Sequence, residues 1–400
     1  MFSTLWRHHS KFWLLTALLA TSTQVITSTQ ATPLPYRGAD ISMLSEVERH
    51  GGKLLEQGKE VDAFALLKAH HVNLIRLRLW VDPKSSEGAP YGGGNSDLAT
   101  TLALAKRAKA AGMHLLLDLH YSDFWTDPKH QTKPKAWQAL SFPALTDQVE
   151  RYTKETLQHF VKAGLTPDLV QVGNELNSGM LWPEGKSWGQ GGGEFDRLAT
   201  LLKAGIRGVK SATAGEKTSP RIVLHLAEGG KSETFRWWFD EIIARQVSFD
   251  IIGLSYYPFW DAPLPALATN LQQLASRYHK PLLIVETAYA HDLQDCDNTP
   301  NTFGPAQEQQ GGYPASPQGQ LAFLKALQQQ VSTVPDGLGL GIIYWEPFWL
   351  PVKGATWATK AGMTYNNDHW QEGNGWENLA LVSCKGETLP ALSLFAPESK

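Results

Sequence analysis

Several things are scarce in this 400-residue chain. It has two cysteines, Cys296 and Cys384, and five methionines. Two cysteines are too few for a disulfide framework, so the fold must rest on a hydrophobic core. Charge is scarce as well: the formal net charge is −3, and no run of basic residues stands out. That excludes a nucleic-acid partner held by an electrostatic surface. Beyond the first 31 residues no segment approaches the ~20 apolar residues that a membrane-spanning helix needs. A glycine-rich phosphate turn after the first strand is also missing, since Gly38-Ala39-Asp40 lacks that spacing.

What is present suits a large globular domain. Hydrophobic residues make up 42% of the chain, enough for one large barrel or two ordinary domains, and no linker divides it. Fifteen tryptophans point to an aromatic-lined cleft, although many must pack in the core. Residues 1–31 read as a secretory signal: Arg7 and Lys11 supply the positive region, residues 12–20 a short apolar core, and Thr29-Gln30-Ala31 a cleavage site. This predicts an exported protein, extracellular or periplasmic, with residues 32–400 as the mature chain. There Cys296 and Cys384 could pair, and two free thiols would fit the spacing equally well.

Hydrophobic periodicity divides the chain into eight strand–helix units. Strands are expected near 35–42, 72–80, 113–120, 169–175, 221–227, 250–257, 282–286 and 338–345. Helices are expected over 61–69, 98–111, 145–163, 195–210, 232–245, 264–278 and 317–331, with a short closing helix at 389–395. In the second strand, alternation sends Leu74, Arg76 and Arg78 one way and Ile75, Leu77 and Leu79 the other. Eight such repeats predict an α/β fold of parallel strands with right-handed crossovers, a single-domain (β/α)8 TIM barrel. In that fold functional residues sit at the C-terminal ends of the strands. Arg78, His120, Glu175, Tyr256, Glu286 and Trp345 are at such positions.

Two of the strands end in glutamate: Gln171-Val172-Gly173-Asn174-Glu175 and Ile284-Val285-Glu286-Thr287. A lone strand-end glutamate is most simply the ion-pair partner of a barrel arginine. Two at one mouth suit glycoside hydrolysis, in which one carboxyl protonates the leaving oxygen while the other attacks the anomeric carbon or activates water. Asn174 is placed to bind a sugar hydroxyl, Tyr256 to donate a hydrogen bond to Glu286, and Arg76 or Arg78 to hold that carboxylate ionised.

The chain resembles the arabinogalactan endo-β-1,4-galactanases of glycoside hydrolase family 53. The resemblance rests on an ordered set of stretches spanning about residues 36–395. They are Gly38-Ala39-Asp40-Ile41-Ser42, Ile75-Arg76-Leu77-Arg78-Leu79-Trp80-Val81-Asp82-Pro83, and Asp118-Leu119-His120-Tyr121-Ser122-Asp123-Phe124-Trp125. To these are added Gln131, Pro134 and Trp137, Gly173-Asn174-Glu175, Ser255-Tyr256-Tyr257-Pro258-Phe259-Trp260, Val285-Glu286-Thr287, Tyr344-Trp345-Glu346-Pro347 and Trp376-Glu377-Asn378. It implies Glu175 as acid/base and Glu286 as nucleophile, with retention, on β-1,4-galactan of pectin side chains. It also implies Arg76, His120, Asn174, Tyr256 and Trp345 around the central subsites. Asp40 and Arg78 join them as substrate-binding candidates, as do Trp125, Trp137, Trp260 and Trp349, whose indole faces suit stacking on sugars. Trp80 is expected in the core.

No cofactor is expected for the chemistry. Some bacterial members bind calcium between the loops after strands seven and eight, and Asp295 and Asp297 could ligate it here. Fungal members use disulfides in that region, so Cys296 could be stapled to Cys384. A monomer is expected. The rival functions are another retaining (β/α)8 endo-glycanase, such as a mannanase or glucanase, and a non-catalytic carbohydrate-binding barrel.

Overall fold

A computed structural model describes residues 33–188 and 194–396. The segment 1–31 read as a secretory signal lies outside the described residues. Eight parallel strands close into a barrel. They are β1 (Tyr36–Asp40), β2 (Leu74–Leu79), β3 (His114–Leu119), β4 (Leu169–Val172), β5 (Arg221–Leu226), β6 (Ile251–Ser255), β7 (Leu282–Thr287) and β8 (Gly339–Trp345). Seven helices cross between them: α1 (Ala63–Ala69), α2 (Leu98–Ala110), α3 (Phe142–Lys162), α4 (Glu194–Ala212), α5 (Ser232–Ala244), α6 (Leu264–Tyr278) and α7 (Pro317–Ser332). The (β/α)8 expectation holds. Among the described residues, no helix is long and apolar enough to cross a membrane.

Side-chain period decides what each strand contributes. In β2 all six residues are buried. Leu74 joins an inner cluster with Leu116, Leu169, Val223, Ile251, Leu283, Val285 and Ile343. Ile75, Leu77 and Leu79 join the outer cluster between strands and helices. The N-terminal half of the barrel is thus filled with branched apolar side chains, as the fold requires. Two residues on, the same inward rows carry Arg76, Asp118, Gln171 and His225, all buried. The interior changes from apolar plug to charged network along each strand, and that change fixes which end holds the site.

Boundaries shifted where local chemistry was not periodic. Val61 ends a small hairpin, Leu54–Glu56 with Lys59–Val61, and α1 starts two residues later, capped by the Asp62 carboxylate on the Phe64 and Ala65 N–H groups. β4 stops at Val172, three residues before Glu175. Gly173 adopts φ +87°, where a Cβ would lie 2.6 Å from the Leu176 side chain. Short helices at Leu44–Arg49, Pro305–Gly311 and Lys360–Asn366 escaped the sequence reading. None completes two turns, so none leaves a clear periodic signal.

The loops after β7 and β8 are joined to each other. Cys296 and Cys384 form a disulfide, Asn378 Nδ2 donates to the Phe303 carbonyl (3.0 Å), and Thr302 N–H donates to that of Gly375 (2.8 Å).

Candidate active site

A cleft of about 580 Å³ opens at the C-terminal mouth of the barrel. Arg76, His120, Asn174, Glu175 and Glu286 form its floor, and Trp125, Trp260, Trp345, Trp349, Trp370 and Trp376 form much of its walls.

The two glutamates arrive by different routes. Glu175 follows the turn at Gly173 and itself sits in the left-handed region, φ 47°. That conformation is uncommon outside glycine and lifts the carboxyl out of the strand path. Glu286 lies beyond a register shift. Leu254 pairs with Ile284, but Ser255 pairs with Glu286, so Val285 is the extra residue of a bulge. Leu283 and Val285 already point into the barrel, and strict alternation would turn Glu286 outward. The bulge aims it into the mouth instead. As a result, a carboxylate oxygen of Glu175 and one of Glu286 lie within 4.8 Å of each other.

Their surroundings differ. Arg76 Nη2 lies 2.8 Å from Glu286 Oε1, and Tyr257 donates its hydroxyl to Glu286 Oε2 at 3.1 Å. Arg76 is clamped by Asp40 and Asp118, each at 2.8 Å, and donates to Asn174 Oδ1 at 3.0 Å. Among the described residues no cation contacts Glu175. It accepts from Ser255 Oγ at 2.7 Å. Burial pushes the Glu175 carboxyl well above the ordinary carboxylate range, and the Glu286 charge adds to this. Burial raises Glu286 too, but the Arg76 guanidinium opposes it. A proton shared by the pair therefore resides on Glu175. Asn174 is anchored at both ends of its amide, its Nδ2 donating to the Thr126 carbonyl at 2.8 Å. His120 is held by Asp118 (3.0 Å) and Thr126 Oγ1 (2.8 Å).

Three expected contacts do not form. Tyr256 faces outward, donates to the Ala262 carbonyl (3.1 Å) and stacks near Phe323 of α7. Its neighbour Tyr257 holds Glu286. Ile251 faces the barrel axis and Ser255 faces Glu175, so the row continues at Tyr257, and strand period alone carried that signal. Trp137 is buried against Tyr152, ring centroids 5.4 Å apart, away from the cleft. Asp40 is fully buried beneath the floor, where it accepts from Arg76 and Ser42.

The other candidate residues are at the cleft. Arg78 lines it and pairs with Glu346 (2.5 Å), with Trp125 over its guanidinium at 4.3 Å. Gly93 in the glycine-rich loop accepts from Arg78 Nη2, and a Cβ there would press on the Trp80 and Trp125 rings. Trp80 is fully buried, as expected. Trp345 meets Trp376 edge to face at 4.6 Å, and Trp376 lies 5.8 Å from Trp260. Sequence reasoning missed Asp118, Tyr257, Ser255, His225 and Trp376 as site residues. The first four sit on inward strand rows and could have been found by extending the alternation past the last apolar residue.

Asp295, Asp297 and Glu377 bring carboxylate oxygens within 4.8 Å of one another beside the disulfide. Glu377 Oε2 is buried and has no hydrogen-bond partner among the described residues, and burial raises that carboxyl to about 7, with Asp297 and Asp295 adding.

The chain matches the model of glycosyl hydrolase family 53 over residues 36–395. It is 38% identical to the arabinogalactan endo-beta-1,4-galactanase of Cellvibrio japonicus over 90% of both chains. It is 33% identical to the endo-beta-1,4-galactanase of Bacillus subtilis, covering 90% of this chain and 85% of that one. The Ignisphaera aggregans GH53 catalytic domain superposes with a TM-score of 0.84 at 40% identity, covering 92% of this chain and 97% of that one. With a closed barrel, two carboxyl groups at its mouth and a match along nearly all of its described length, the chain belongs to glycosyl hydrolase family 53 and is a glycosidase.

Proposed function

We propose that this protein is an endo-acting β-1,4-galactanase that cleaves the galactan of pectin side chains with retention of configuration. The observation that carries the mechanism is the pair of glutamates with oxygens within 4.8 Å and opposite electrostatic surroundings. That approach is in keeping with the ~5–5.5 Å carboxyl spacing of retaining enzymes. Glu286, held by Arg76 and Tyr257, attacks the anomeric carbon. Glu175, kept protonated by burial, gives its proton to the departing glycosidic oxygen. A water molecule, deprotonated by Glu175, then hydrolyses the glycosyl ester on Glu286. Trp125, Trp345, Trp260 and Trp349 offer surfaces for successive sugar rings along the open cleft, which favours internal attack. The substrate class is supported by relatives named as galactanases at 33% and 38% identity.

Export is the reading that the signal-like residues 1–31 support. Asp295, Asp297 and Glu377 fit a hard divalent cation, because a buried carboxylate oxygen without a partner is costly and a cation would satisfy it. Calcium there would brace the loops after β7 and β8 and take no part in the chemistry.

The test is product analysis over time on linear β-1,4-galactan, mannan and cellulose, with anomeric NMR of the first products. Galacto-oligosaccharides of several lengths with initial β-configuration are expected. Turnover of mannan or cellulose but not galactan would overturn the substrate. Galactose alone from the first minutes would overturn endo attack, and initial α-products would overturn retention.

A further inference from the structure

Behind Glu175 stand two side chains from different strands, Ser255 at the end of β6 and His225 in β5, both buried. Ser255 Oγ lies 2.7 Å from Glu175 Oε1, and His225 Nε2 lies 2.7 Å from Ser255 Oγ. We propose that His225 and Ser255 form a hydrogen-bond relay of fixed direction that positions Glu175 and stabilises the charge it gains when it releases its proton. The inference rests on the acid/base role proposed above for Glu175.

The direction of the relay follows from what surrounds the imidazole. The backbone N–H of Glu175 points at His225 Nδ1 (3.3 Å), and Gln171 Nε2 lies 3.0 Å from the same atom. The Gln171 amide nitrogen is fixed as a donor by Asp118 Oδ1 at 2.6 Å. Asn174 Oδ1, also 3.1 Å from Nδ1, accepts from Arg76 and Gln171. The backbone N–H of Glu175 can only donate, and Asn174 Oδ1 is already filled by Arg76 and Gln171, so Nδ1 carries the lone pair and the single ring proton sits on Nε2. Nε2–H therefore donates to Ser255 Oγ, whose own hydrogen is left for Glu175 Oε1. Burial pushes the imidazole well below its ordinary basicity, and the Arg76 charge and His120 add to this. The ring thus stays neutral and cannot reverse the relay by taking a second proton.

No proton passes along this chain. In the first step the Glu175 O–H bond breaks and the proton bonds to the leaving glycosidic oxygen. Glu175 becomes a carboxylate, and its bond from Ser255 becomes charge-assisted. A hydrogen bond that strengthens as charge develops lowers the barrier rather than tightening ground-state binding. The charged groups facing Glu175 are Glu286, Asp127 and Arg76. None of them donates a hydrogen bond to it among the described residues, which leaves Ser255 as the group that does. His225 and Ser255 are positioning residues, since neither lines the cleft.

The test uses the full-length protein and the variants Ser255→Ala, Ser255→Thr, His225→Phe, Glu175→Gln and the double variant Ser255→Ala/Glu175→Gln. On galactan, Ser255→Ala is expected to lower kcat/KM about 10- to 100-fold, the worth of one charge-assisted hydrogen bond. On an aryl β-galactobioside with a dinitrophenolate leaving group, which needs no proton, its glycosylation rate should hold. The alkaline limb of its pH profile should move up, because the ionised form of Glu175 has lost a donor. Ser255→Thr should restore the rate, and His225→Phe should lower it less than Ser255→Ala does. In the Glu175→Gln background Ser255→Ala should add nothing. Equal loss on both substrates, or additive loss in the double variant, would overturn the relay and leave a structural role. A wild-type rate in Glu175→Gln would overturn the role of Glu175 itself. An inactive Glu175→Gln beside an unaffected Ser255→Ala would overturn the relay alone.

Discussion

Tyr257, and not its neighbour Tyr256, donates its hydroxyl to Glu286 Oε2, at 3.1 Å. Burial, followed by the charges of Glu286 and Glu175, holds the phenol well above its ordinary pKa, so it remains a donor wherever Glu286 is ionised. Tyr257→Phe is expected to lower kcat about 10- to 100-fold with the fold intact, since a hydrogen bond to a charged group contributes ~1.5–3 kcal/mol. Tyr256→Phe loses only a bond to the Ala262 carbonyl and should leave kcat unchanged while lowering stability by ~1 kcal/mol. Steady-state kinetics and thermal melts of the two variants distinguish these outcomes.

The pH profile should be bell-shaped, because activity needs Glu286 ionised and Glu175 protonated. Arg76 opposes the rise that burial imposes on Glu286. Removing that charge raises the Glu286 pKa, so in Arg76→Met the acid limb of kcat/KM should move to higher pH and the bell should narrow. Stability should also fall by ~3–5 kcal/mol, since Asp40, Asp118 and Glu286 lose their shared cation in a buried site. Rate profiles between acid and neutral pH, with melts at each point, measure both effects. An acid limb that stays put would remove Arg76 from the ionisation of Glu286.

The tryptophans divide by position. Trp345 lines the cleft, and Trp345→Ala should raise KM on galactan about 10-fold, a stacking loss of roughly 1.4 kcal/mol. Trp137 packs on Tyr152 out of reach of the cleft, so Trp137→Ala should leave KM unchanged while costing ~3–5 kcal/mol of stability. A changed KM in the second variant would return Trp137 to the binding surface.

The late loops carry a disulfide and a carboxylate cluster. The bond between Cys296 and Cys384 closes an 88-residue separation, and Cys296→Ser/Cys384→Ser should cost about 2–4 kcal/mol. If calcium occupies Asp295, Asp297 and Glu377, a chelator should lower the melting temperature, added calcium should restore it, and Glu377→Gln should abolish the response. Burial pushes the Glu377 carboxyl up to about 7, so protons compete with calcium below that pH, and its apparent affinity should fall as the solution is acidified. Isothermal titration at two pH values checks the sign.

Strand period was legible without coordinates because it is local. Alternation in residues 72–80 put Arg76 and Arg78 on one row, and eight repeats of strand and helix specified the barrel. Asn174-Glu175 and Glu286 were legible as strand-end acids, which a buried interior tolerates only with partners or a task. The sequence by itself determined the fold, the end of the barrel that bears the site, and the two glutamates. Tertiary structure decided the rest. The bulge at Val285 turned Glu286 into the mouth against its own parity, a choice set by pairing with β6 and β8. Arg76 found Asp40 and Asp118 because register places Asp40 beside Arg76 on neighbouring strands and Asp118 beside Arg78, the next residue of that row. Tyr257, Ser255 and His225 reached the glutamates by the same means. Which side chain meets which across a closed barrel depends on shear and bulges, and those are properties of strand pairing that no single strand carries.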